Sequence, residues 1–110
     1  MPGGFAAGAL DAGAGDGSAV DLLMAGCLAA AVQGDTNAYF DLGVAFSTGS
    51  HGLDCDLIEA HKWFNLAAVA GHEEAKHCRA DISEEMTARE IAEAQRRARE
   101  WIAAGVRRAA

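Results

Sequence analysis

AYFDLGVAFSTGSHGLDCDLIEAHKWFNLAAVAGHEEA, residues 38–75, reads as one helix–loop–helix unit with its own punctuation. Ala38, Leu42, Ala45 and Phe46 stand at i, i+4, i+7 and i+8, a spacing that puts all four on one helix face. Gly43 sits beside that face. It either costs the helix stability or marks where a neighbouring helix comes close. Gly49-Ser50-His51-Gly52 breaks the helix. Asp56, with Glu59 three residues on, supplies an N-cap and a first-turn acid for the next one. Leu57, Ala60, Phe64, Ala67 and Ala68 form its apolar stripe, with Trp63 on the edge. Gly71 ends it, and His72-Glu73-Glu74 begins another, with acids where the helix dipole favours them.

Upstream, residues 1–17 are nearly all Gly, Ala and Asp and read as a flexible leader. Ser18 with Asp21 opens a helix expected over about residues 19–33, which Gly34 closes. Asp35 caps the helix over residues 36–48. Downstream, Ala75, Cys78 and Ile82 share the inner face of the helix from Glu73. Thr87-Ala88-Arg89-Glu90 is a capping box. In the last helix Ile91, Ala94, Ala98, Trp101, Ile102 and Gly105 keep helical spacing, and Glu93 with Arg97 forms an i,i+4 ion pair.

Two segments repeat. AAVQGDTNA at 30–38 and AAVAGHEEA at 67–75 are offset by 37 residues and share five of nine positions, including the glycines at two helix ends. An offset of that size marks stacked helical repeats. Ala38, Leu42, Gly43, Phe46 and Gly49, followed by Gly52, Leu53, Asp56, Glu59, Ala60, Trp63, Phe64, Ala67, Ala68, Gly71 and His72, resemble the Sel-one-like repeat, a relative of the tetratricopeptide repeat. The resemblance is specific over residues 38–72, within a best repeat unit at 36–72. It is partial upstream, where Leu22–Gly34 is similar to a second helix, and weak downstream, where Arg79 replaces a preferred leucine. It implies a short right-handed α–α superhelix of antiparallel pairs whose concave face, lined by the first helix of each pair, binds protein partners.

Length and composition agree with a single all-α domain over residues 18–110, of about five helices. The chain has 110 residues and one proline. Its net charge of −7 argues against nucleic acid as the partner. The charge is divided: residues 1–86 hold 13 acids and 3 bases, residues 87–110 hold 3 acids and 6 bases. No apolar run approaches the ~20 residues that span a bilayer. Leu23-Met24-Ala25-Gly26-Cys27 mimics a lipoprotein cleavage site, but acids and no base precede it, so Cys27 reads as a small helix residue. An odd set of cysteines, Cys27, Cys55 and Cys78, fits no disulfide framework and suits a reduced, cytoplasmic chain.

No catalytic constellation stands out. His51, Cys55 and His61, or His72, His77 and Cys78, could suggest a metal or thiol-redox site, but they lack the paired ligand spacing of structural zinc. Asp54, Asp56 and Glu59 suit capping better than calcium. Trp63 and Trp101 suit packing better than a ligand box. The expectation is therefore a protein-binding adaptor or regulator, without enzymatic activity, cofactor or metal, whose partner is a protein or peptide. The alternatives are a His/Cys metal or redox protein and a subunit that self-associates. With Ala38, Leu42, Ala45 and Phe46 in the core, Phe40, Asp41, Val44 and Thr48 fall toward the open face. On the helix from Glu73, His77 and Asp81 do so. Phe40 packing on the leader or the last helix is the competing expectation.

Overall fold

Local signals fix where the helices end. The computed structural model describes residues 22, 24–49 and 54–109, and these are all-α, with no strand among them. The leader, the Ser18 cap with Asp21, and Ser50, His51, Gly52 and Leu53 lie outside the described residues. Helix α1 covers residues 24–32, α2 Thr36–Thr48, α3 Leu57–Val69, α4 Glu73–Ser83 and α5 Ala88–Ala109.

The two nine-residue segments fold into the same turn. Gly34 (φ +85°) donates to Ala31 O at 2.9 Å and Asp35 to Ala30 O at 3.1 Å. Gly71 (φ +101°) donates to Ala68 O at 3.0 Å and His72 to Ala67 O at 3.0 Å. Both glycines occupy left-handed backbone that a Cβ disfavours. The following residue caps the next helix each time. Asp35 Oδ1 accepts from the Asn37 and Ala38 amides at 2.9 and 3.3 Å, and His72 Nδ1 accepts from the Ala75 amide at 3.1 Å. His72 as a cap has no signature in the usual capping preferences, which favour Ser, Thr, Asp and Asn.

The other caps form as read. Asp56 Oδ1 accepts from the Glu59 amide at 3.1 Å, and Gly49 (φ +71°) donates to Ala45 O at 3.0 Å. Thr87 and Glu90 complete a reciprocal capping box, at 3.1 and 2.8 Å. Glu59 stands in the first turn of α3 as expected and has a second role. Its carboxylate also reaches Arg97 of α5 at 2.8 Å and Lys62 at 3.4 Å.

Helix α3 is the centre of the molecule. It packs against α2, α4 and α5, whereas α4 and α5 lean on it far more than on each other. Tyr39 meets Trp63 near one end and Phe46 O accepts from the Asp56 amide near the other, so α2 is antiparallel to α3. His61 meets Ser83 and Asn65 meets Arg79, so α4 is antiparallel too. Glu59 meets Arg97 and Trp63 meets Trp101, so α5 runs parallel to α3. One apolar cluster joins Ala31, Ala38, Leu42, Trp63, Leu66 and Ala98; the other joins Ala60, Phe64, Ala67, Ala68 and Ala75. Trp63, read as the edge of a stripe, is 2% exposed and central to the first cluster, because α5 covers the flank α2 leaves open. Ile102 departs the other way: it is 48% exposed, one turn beyond Ala98 of the first cluster.

Candidate protein-binding face

The parallel helices α2 and α4 rest side by side on α3, and the second cluster lies beneath them. Half-buried Phe40 and Val44 border it from α2, and half-buried Cys78 and Ile82 from α4. Phe40 is the anchor. It stacks on the His72 ring at 4.3 Å between centroids and 11° between planes, and it tilts against Phe64 at 5.7 Å. It is thus neither the free aromatic first expected nor packed on the last helix: the N-terminus of α4 comes to it.

The expected residues divide. Phe40 and Val44 come together. Asp41, turned about 100° from Phe40 on the helix, is exposed and lines a different cleft, between α1 and α2. Thr48 is exposed at the far end of α2, its hydroxyl donating to Val44 O at 2.8 Å. His77 and Asp81 are both exposed, one turn apart on α4. Asp81 and Glu74 both act on Cys78: burial first, then these two carboxylates, pushes its thiol pKa up. A thiol held protonated is a poor nucleophile and metal ligand. Glu74, expected only as a first-turn acid, stands one turn before Cys78 and so on the same face. Of the residues that define the repeat resemblance, Ala38, Leu42, Gly43, Ala60, Trp63, Ala67 and Ala68 are buried, Phe46 is half-buried, and Gly49 and Gly71 are the turn residues.

Beside its apolar interior, the seam between α3 and α5 has a polar, partly exposed edge. Arg96 and Arg97 both hold Glu93, whose carboxyl they pull down to about 2, and Arg97 bridges to Glu59. Lys62 lies over Trp63 at 4.2 Å and over Trp101 at 5.4 Å. These charges satisfy one another, which makes the seam a fastening between helices.

His61 looks like chemistry and is packing. It is 3% exposed, with Nε2 3.1 Å from Ser83 Oγ. The Ser83 hydroxyl donates to Arg79 O at 2.7 Å, so His61 Nε2 must donate to it, leaving Nδ1 bare. Nδ1 is buried with no hydrogen-bond partner among the described residues, so no carboxylate orients the ring as a base. Burial, and then the Arg79 guanidinium, lower the pKa of His61 below its ordinary 6.5. The sign follows. Unfolded His61 takes up a proton that the folded ring refuses, so its contribution to stability is complete above about pH 6.5. It falls as pH drops from there toward the folded pKa. Urea unfolding between pH 5 and 7.5 should therefore show wild type losing stability on acidification faster than His61→Leu. Parallel curves for the two would place the titration elsewhere.

Among the described residues no three His, Cys, Asp or Glu side chains converge as metal ligands, and no helix is long and apolar enough to cross a membrane. Cys27, Cys55 and Cys78 are unpaired. No protein-family model, curated protein or solved structure matches the chain.

Proposed function

We propose that the chain is a non-enzymatic protein-interaction module of the Sel-one-like kind, a cytoplasmic adaptor or regulator that takes a peptide along the α2–α4 face. The observation that carries this reading is the composition of that face: Phe40, Val44, Cys78 and Ile82 in a half-buried strip, with the exposed carboxylates of Glu74 and Asp81 beside it. Apolar side chains next to unneutralised acids suit a segment that alternates apolar anchors with lysine or arginine. The turn repeated at Gly34-Asp35 and Gly71-His72 supports the repeat architecture on which the reading rests.

Charge tests the face without disturbing the core. Glu74→Lys with Asp81→Lys changes two exposed side chains, so the fold should hold while a basic partner is lost from affinity capture. A folded double variant that retains every partner of the wild type would sink the proposal. Phe40→Ala is the weaker probe, because losing its contacts with Phe64 and His72 affects folding as well as binding.

A further inference from the structure

Helix α5 carries an apolar ridge past the point where the fold covers it. Ala94 and Ala98 are buried, but one and two turns on, Ile102 is 48% and Val106 65% exposed. Arg99 stands three residues before Ile102 and seven before Val106, on the same outward side, and Arg107 follows. Both arginines are exposed, and neither is ion-paired among the described residues. Among the described residues 101–107 there is no acid, and with Ile102, Val106 and Arg107 exposed this stretch of the helix is apolar and positive.

A cleft with apolar and acidic lining, opposite in charge to that helix end, lies between α1 and α2. Leu22, Gly26 and Ala30, spaced one turn apart, line a cleft of about 330 Å³, with Asp35 and Asp41 at its rim. A Cβ built on Gly26 would meet nothing within 4 Å, so the floor is open. Asp35 Oδ1 is held by the first amides of α2, whereas its other oxygen and the Asp41 carboxylate have no ion-pair partner among the described residues.

We infer that the occupant of this cleft is the Arg99–Ile102–Val106 ridge of a second copy. The aliphatic pair enters over Gly26, and the arginines approach Asp35 and Asp41. The charge that repels like ends attracts unlike ones, which selects a head-to-tail contact. The contact joins different patches of the two copies, so each added copy presents a fresh ridge and a fresh cleft. This surface is separate from the α2–α4 face and does not depend on what that face binds.

Sedimentation equilibrium of the full chain tests it. The weight-average mass should rise with concentration beyond two chains and fall as salt screens the arginines. Gly26→Leu fills the cleft where there is room, and Val106→Glu puts an acid on the exposed ridge; each variant alone should remain a single chain. Mixed in equal amounts they should form a heterodimer and nothing larger, because one retains its ridge and the other its cleft. A wild-type chain that stays monomeric overturns the inference, whether its own N-terminal residues or another protein then fills the cleft. So does a wild-type dimer that grows no further while the mixed variants ignore each other.

Discussion

Trp63→Ala is expected to cost about 3–5 kcal/mol of folding free energy. The indole is 2% exposed and belongs to three helices at once: Tyr39 stacks on it from α2 at 6.0 Å, Trp101 meets it edge-on from α5 at 4.9 Å, and Leu42 and Leu66 close the cluster. Truncation removes the largest side chain of the cluster and opens a cavity where the three helices meet. A domain of this size has about 5–15 kcal/mol in total, so the variant should unfold at much lower urea. Trp63→Phe should be far milder. The indole Nε1–H is buried without a partner among the described residues, and an unmet donor of that kind costs about 1–3 kcal/mol. Phenylalanine removes the donor as it removes volume, and the two effects oppose. Equal losses for Ala and Phe would mean that the N–H is satisfied or that Trp63 is not the hinge of the cluster.

The helix ends were legible because capping is local. Asp35, Asp56, Thr87 with Glu90, Gly34 and Gly71 announce themselves within four residues of the groups they satisfy. Helical spacing likewise placed Ala38, Leu42 and Ala45 on one face, and Ala75, Cys78 and Ile82 on another. Spacing gives the angle of a face and is silent about the neighbour that covers it. Trp63 is central because α5 runs parallel to α3 with Glu59 level with Arg97, a pairing 38 residues apart that no window of sequence contains. His72 as a cap was hidden for a related reason: its Nδ1 serves the Ala75 amide while its face serves Phe40, a partner on another helix. The binding face was half legible. Phe40 and Val44 follow from the pattern of α2, whereas the turn of Asp41 toward α1 depends on where α1 lies.

Gly43→Ala is the second large effect, and its sign runs against helix propensity. Alanine in place of glycine inside an exposed helix returns about 0.5–1 kcal/mol. At Gly43 the added Cβ would stand 2.5 Å from Phe64 Cδ1 and 2.6 Å from Cε1, far inside any ordinary non-bonded contact. The ring has little freedom to retreat: Phe64 is 1% exposed, Phe40 lies against it, and Ala60, Ala67 and Ala68 surround it. Helices α2 and α3 must then separate, and overpacking of this kind costs about 1–3 kcal/mol, so the net change should be a clear loss. Phe64→Leu separates the two contributions, since it withdraws the ring edge that the Cβ would strike. In that background Gly43→Ala should become neutral or stabilising, and the two substitutions together should cost less than their sum. Additive losses would show that Gly43 is required for some reason other than the close approach of Phe64, and the glycine would then no longer explain how α2 and α3 come together.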